Sequence, residues 1–169
     1  MKKNKKIMLV DGSNLFYRAY YKMYGMKGNG YHTSAIFGFP NILQREIKKH
    51  SPKSCYVFWD GKKSPERLKI NPEYKAKRRE KLPEEKKDFY EQMNSLNNLL
   101  YYMGIPQIKD ERFEADDAIY YIHKKILDKD SDKNIIIVSN DKDFHQLISN
   151  NVKISSDKLS KSINPVSIK

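Results

Sequence analysis

An α/β fold with a mainly parallel central sheet is predicted by three features of this sequence. Short, uniformly apolar runs recur along the chain, amphipathic helical patterns separate them, and the runs end beside aspartates. Runs without polar alternation suit strands buried on both faces, which is the condition of a parallel sheet covered by helices. The first is "KIMLV", ending at Val10. After it, "TSAIFGFPNILQREIKKH" places Ile36, Phe39, Leu43 and Ile47 at helical spacing, with Thr33 or Ser34 at the N-cap position. "SCYVFW", ending at Trp59, is the second strand. The next helix, "PEEKKDFYEQMNSLNNLLYYMG", spaces Phe89, Met93, Leu96 and Leu100 on one face and stops at Gly104, with Pro106 beyond. "GIPQIK" is a short strand candidate. "ADDAIYYIHKKIL" spaces Ala118, Ile119, Ile122 and Ile126 as a helix, and "NIIIVSN", ending at Asn140, is a further strand. A last short strand is expected at Val152 to Ser155. Strands alternating with helices imply right-handed crossovers and one doubly wound sheet.

A chain of 169 residues suits a single domain, 1–169. Residues 61–87 break the rhythm: they are dense in Lys and Arg, poor in apolar residues, and read as a basic excursion from the sheet. With 33 Lys and Arg against 21 Asp and Glu, the formal charge of +12 points to a polyanionic partner. No apolar run is long enough to span a membrane, and "IMLV" after the basic "MKKNKK" is too short for a signal-peptide core. The one cysteine, Cys55, excludes an internal disulfide and a cysteine-based zinc cluster, and a cytoplasmic setting is expected.

Against this basic background the carboxylates are unevenly placed. Asp11 follows "MLV", Asp60 follows "VFW", and Asp141 and Asp143 follow "IIIVSN". If the strands are parallel, these four gather at the carboxyl edge, where open α/β sheets bind ligands. "RFEADDAIYYI" follows "GIPQIK" and would add Glu114, Asp116 and Asp117. Each piece alone has an ordinary explanation. "DG" is a turn signal, "NDKD" suits a turn and a helix cap, and acidic residues in a first helical turn complement the dipole. Their common position at strand ends favours a metal site. Seven neighbouring carboxylates repel one another unless cations lie among them, and hard ions such as Mg²⁺ or Mn²⁺ suit all-oxygen ligands. On an ideal helix Glu114 and Asp117 share a face while Asp116 points elsewhere. All three serve one cluster only if Glu114 precedes the regular helix.

The segments "LVDGSNLFYRAY", "VFWDGKKSPERLKINPEYKAKRRE", "FEADDAI" and "VSNDKDFHQL" resemble, in type and order, the structure-specific 5′-nuclease (flap endonuclease) family. This family includes bacteriophage 5′-exonucleases and the 5′-nuclease domain of bacterial DNA polymerase I. The resemblance runs from about Ile7 to Ile168 and implies a PIN-like or resolvase-like sheet. It implies a first metal cluster of Asp11, Asp60, Glu114 and Asp116, with Asp117, Asp141 and Asp143 toward a second ion. Asp116, Lys75 and Arg78 would be catalytic, the two cations neutralising charge on the scissile phosphate. Arg18, Tyr74, Lys75, Arg78 and Arg79 would bind substrate, and 61–87 would form an arch or gateway for a 5′ single strand. The implied reaction is hydrolysis of DNA at a free 5′ end or flap, with RNA of RNA–DNA hybrids as a further substrate, by two Mg²⁺ or Mn²⁺ ions. The family continues into a helix-three-turn-helix element that grips duplex DNA and supplies two more aspartates. This sequence ends at Lys169 before such a segment, so a second polypeptide supplying it is one expectation. A PIN-type ribonuclease and a nucleic-acid-binding half of a split nuclease stand as alternatives.

Among other residues, His145 is expected at a helix surface or in packing, and Cys55 in the core. Most of the twelve tyrosines are expected to pack helices against the sheet, with Tyr17 or Tyr20 near substrate.

Overall fold

A computed structural model of the chain describes residues 5–61, 69 and 83–156. Five strands form one sheet: β1 (Lys6–Asp11), β4 (Ser54–Trp59), β5 (Gln107–Lys109), β6 (Asn134–Val138) and β7 (Val152–Ser155). Their order is β5-β4-β1-β6-β7, and every adjacent pair is parallel. Among the described residues, four helices flank the sheet: α1 (Gly12–Lys22), α2 (Ser34–His50), α3 (Pro83–Tyr102) and α4 (Ala115–Lys129). A two-stranded antiparallel ribbon, β2 (Lys27–Gly28) and β3 (Tyr31–His32), joins α1 to α2. The expected strands are all present. β6 ends two residues earlier than anticipated, because Ser139 and Asn140 turn away to form the acidic loop. Helix α1 and the ribbon were not foreseen. The excursion expected over 61–87 is shorter at its far end, since α3 begins at Pro83; most of it lies outside the described residues.

Strand side chains alternate between two cores. Met8, Val10, Val57, Trp59, Ile136 and Val138 face α1, α2 and α3, while Leu9, Phe58, Ile135, Ile137 and Ile154 pack with Ile119 of α4 and Phe144. Both faces of the sheet are therefore dry, which explains the unbroken apolar runs. Cys55 is half-buried against the first core, and burial pushes its thiol up to about 12, so it is an unreactive packing group. The tyrosines depart from expectation. Tyr20 is fully buried, but Tyr17, Tyr21, Tyr24, Tyr31, Tyr90, Tyr101, Tyr102, Tyr120 and Tyr121 are exposed. Adjacent pairs such as Tyr101–Tyr102 lie on the outer side of helices whose inner face is already filled by leucine or isoleucine. Among the described residues, no helix is long and apolar enough to cross a membrane.

Two polar contacts join the helical layer, and neither is visible in local sequence. Thr33 occupies the N-cap position of α2 but makes no side-chain cap bond; instead Gln92 of α3, buried, accepts from the Ala35 amide at 2.8 Å. At the other end of α2, Glu46 is 4% exposed where an amphipathic pattern would place an apolar residue. Ser155 Oγ of β7 donates to Glu46 Oε2 at 2.6 Å, Arg45 donates to Oε1 at 3.2 Å, and His50 Nε2 lies 3.5 Å away. Burial alone would push this carboxyl up. The hydrogen bonds from His50 and Ser155, with Lys49 and Arg45, outweigh that and hold it at about 2. Its folded value lies below the ordinary 4.5, so the stabilisation is present above about pH 4.5 and is lost as pH falls toward 2. Thermal melts from pH 7 to pH 2.5 should show the midpoint dropping through that window. Glu46→Gln should start lower at pH 7 and lose most of that slope; parallel curves would contradict the assignment.

Candidate metal centre at the carboxyl edge of the sheet

Asp11 is the last residue of β1 and the N-cap of α1. It sits there because Gly12 lets α1 begin directly against β4: a Cβ at position 12 would lie 2.6 Å from Val57 Cγ1 and 2.7 Å from Phe58 O. Asp11 is 6% exposed. Its Oδ1 accepts from the Asn14 amide at 3.0 Å and its Oδ2 from Ser139 Oγ at 2.9 Å. Burial raises this carboxyl to about 7; the Asn14 and Ser139 hydrogen bonds oppose the rise, and the charges of Asp60 and Asp116 add to it.

Asp60 follows β4. Its amide donates to Ser13 Oγ at 2.8 Å, and its Oδ1 accepts from the amide of Ala115, the first residue of α4, at 2.9 Å. Asp60 thus caps α4 from another element, while Glu114, at the N-cap position and 5% exposed, makes no side-chain cap bond. Glu114 precedes the regular helix, as the three-carboxylate reading requires. Gly61 permits the approach: its amide donates to Phe113 O at 2.9 Å, and a Cβ there would lie 2.0 Å from Asp110 O. Both "DG" pairs are therefore close-contact glycines behind an aspartate, since neither Gly12 nor Gly61 has a positive φ.

The acidic edge has an inner and an outer part. Asp60 and Asp116 are near enough for their charges to act on Asp11. Asp116, Asp117 and Asp143 line one cleft with Tyr120 and Gln146, walled by Phe144 and Leu147. Asp116 belongs to both parts. Asp141 does not line that cleft; its Oδ1 accepts from the Asp143 amide at 2.9 Å and caps the 3-10 turn Lys142–Leu147. His145 lies half-buried in the same turn. Among the described residues, no three carboxylate, imidazole or thiol groups stand close enough together to hold an ion without side-chain movement. Asp60, Asp116 and Asp141 each accept a backbone amide, which spreads them along the edge. The donor set nevertheless fits a hard divalent cation: the groups are carboxylates, and one is buried at a cost that a cation would relieve.

Arg18, on α1, is half-buried; burial and Arg45 lower its pKa, while Glu46 and Asp11 act in the opposite sense. Both terminal guanidinium nitrogens are buried, so Arg18 reaches a substrate only if its side chain moves. Tyr20 cannot reach a substrate: it is fully buried with its hydroxyl donating to Asp88 at 2.7 Å, whereas Tyr17 is partly exposed. Tyr74, Lys75, Arg78 and Arg79 lie outside the described residues. Sequence reasoning missed Ser139 and Asn14, which hold Asp11 in place. The signal available was their position within three residues of an aspartate at a strand end.

A five-stranded parallel sheet with this acidic edge defines an α/β protein of the resolvase-like type. A family model described as the 5′-3′ exonuclease, N-terminal resolvase-like domain, matches residues 6–169, and the chain belongs to that family. The 5′-3′ exonuclease of Aquifex aeolicus is 34% identical over 151 residues, covering 89% of this chain and 50% of that protein. DNA polymerase I of Streptococcus pneumoniae is 35% identical over 148 residues, covering 85% of this chain and 16% of the polymerase. The chain thus spans half or less of these curated relatives. Among solved structures, a bacteriophage T5 flap endonuclease in complex with DNA and metal ions is 25% identical with a TM-score of 0.72, covering 94% of this chain and 57% of that one.

Asp11 has a folded value above its ordinary 3.8, so its burial costs nothing at low pH and costs progressively more as pH rises from 3.8 through 7. In EDTA, Asp11→Asn should raise the thermal midpoint at pH 8 and leave it unchanged near pH 4. The gain has an upper bound of roughly 4 kcal/mol. A lower midpoint at pH 8 would contradict the burial cost. Gly61→Ala should destabilise by about 1–3 kcal/mol in urea unfolding, because its Cβ meets backbone that cannot yield. An unchanged urea midpoint would show that the loop carrying Asp60 can shift freely.

Proposed function

We propose that this chain is the sheet domain of a divalent-metal-dependent 5′-nuclease that hydrolyses DNA phosphodiesters at a free 5′ end or flap. The observation that carries this reading is the gathering of Asp11, Asp60 and Asp116 at one sheet edge, with Asp143 and Asp117 beside them, in a chain of net charge +12. Membership of the 5′-3′ exonuclease family supports it, as does likeness to a flap endonuclease solved with DNA and metal ions.

Asp11, Asp60, Glu114 and Asp116 would hold one Mg²⁺ or Mn²⁺ ion, and Asp116, Asp117, Asp141 and Asp143 would contribute to a second. For Asp141 this requires its carboxylate to release the Asp143 amide. Ions bound there supply Lewis acidity and a water poised for attack. The chain's own groups do the rest. Asp11, buried and bonded at both oxygens, is held in one orientation. Lys75 and Arg78 hold the phosphate and neutralise its developing charge, Tyr74 stacks on a base, Arg79 binds a flanking phosphate, and Arg18 joins it only by turning its buried guanidinium outward. The basic surface draws the strand toward a cleft whose carboxylates alone would repel it.

The test is incubation of this chain with Mg²⁺ on labelled flap, single-stranded and blunt duplex DNA, with single-stranded RNA as control. Cleavage of flap or 5′-ended DNA is expected, abolished by EDTA and reduced at least a thousandfold in Asp116→Asn. Cleavage indifferent to EDTA, or preference for RNA, would overturn the reading.

A further inference from the structure

Ser139 is the first residue beyond β6 and is 1% exposed. A serine hydroxyl has a single proton and two acceptor positions. The Asp141 amide donates to Ser139 Oγ at 3.1 Å, so one acceptor position is taken. The single proton is donated to Asp11 Oδ2 at 2.9 Å. The Ser139 amide itself donates to Ser155 O at 3.2 Å, which ties the residue to the neighbouring strand β7. One buried hydroxyl therefore joins the end of β1 to the loop that carries Asp141 and Asp143.

A second bridge runs alongside. The Asn140 amide donates to Asn14 Oδ1 at 3.2 Å, and the Asn14 amide donates to Asp11 Oδ1 at 3.0 Å. Ser156 Oγ of the segment after β7 donates to Asn140 Oδ1. The two oxygens of Asp11 are thus held from two sides by groups that also fix the acidic loop. Asp11 and the loop that carries Asp141 and Asp143 are connected through these contacts.

We propose that Ser139 is a positioning residue that sets the distance and orientation of Asp11 relative to the Asp141–Asp143 loop, and so sets the affinity of the edge for divalent cations. It touches neither ion nor substrate; it acts through Asp11 and the Asp141 amide. A serine that merely satisfied buried backbone would need only one of these bonds. Here the donor and an acceptor are both spent on aspartates of the candidate centre, with geometry that alanine cannot supply. Threonine, which keeps the hydroxyl, can. Partners that orient metal ligands typically contribute about 10- to 100-fold in metal affinity.

The proposal rests on the divalent-metal reading above, and the experiment separates the two. Mn²⁺ is titrated calorimetrically into the full 169-residue chain and into its Ser139→Ala, Ser139→Thr and Ser139→Cys variants, with urea midpoints recorded for each. Wild type should bind Mn²⁺; Ser139→Ala should bind about 10- to 100-fold more weakly, and Ser139→Thr should return to within threefold of wild type. If Ser139→Ala does not fold, Ser139→Cys, with a weaker donor of similar size, carries the comparison and should bind at least fivefold more weakly. Wild-type binding with an unchanged affinity in Ser139→Ala or Ser139→Cys would overturn the positioning role, even if the urea midpoint falls. A folded Ser139→Thr that binds as weakly as Ser139→Ala would overturn it too. Failure of wild type to bind Mn²⁺ would overturn the metal reading, and this proposal with it.

Discussion

Burial of the Asp11 carboxylate, at the point where the central strand meets its helix, is the constraint around which the rest of this structure is arranged. A carboxylate in such a place is costly unless hydrogen bonds and opposite charge compensate. The chain supplies the hydrogen bonds from Asn14 and Ser139 and then adds two more carboxylates, Asp60 and Asp116, whose charges make matters worse. A protein selected for stability alone would not place three acids there. The arrangement becomes reasonable when the edge is read as a cation site, because a divalent ion turns mutual repulsion into shared attraction.

The parallel topology makes this convergence possible. With β4, β1 and β6 side by side and pointing the same way, Asp60, Asp11 and Asp141 leave the sheet at the same edge. Helix α4 then delivers its first turn to that edge, held by Asp60 at the Ala115 amide. The dipole explanation of "EADD" and the metal explanation are thus compatible. Asp60 satisfies the helix terminus by accepting from the Ala115 amide, while Asp116 and Asp117 complement its positive end and line the outer cleft. Gly12 and Gly61 are the steric condition for this, since any side chain at either position would push strand, helix and loop apart.

Much of this was legible in the sequence, for a physical reason. Strands buried on both faces must be uniformly apolar, so "KIMLV", "SCYVFW" and "NIII" stood out, and the aspartates following them mapped directly onto the sheet edge. Helices α2, α3 and α4 carried clear apolar stripes. Helix α1 was not read because it begins directly after β1, and its serine, asparagine and tyrosines blur the stripe formed by Leu15, Phe16 and Ala19. The contacts that remained hidden are those between distant elements. Gln92 caps α2 from across the fold, Asp60 caps α4, Glu46 is buried against Ser155, and Ser139 holds Asp11. Capping rules look a few residues along the chain, and none of these partners is local. The tyrosines misled for a different reason: their size suggests burial, but their place on the outer side of filled helical faces leaves them exposed.

The central claim is that this acidic edge is a divalent-cation site, and locating the ion tests it most directly. Crystals of the chain grown with Mn²⁺ should give an anomalous peak within about 2.2 Å of oxygens from Asp11 or Asp60 and from Asp116, with carboxylates turned in from the backbone amides they now accept. Full Mn²⁺ occupancy elsewhere on the protein, with no peak at this edge and Asp60 still bonded to the Ala115 amide, would contradict the account.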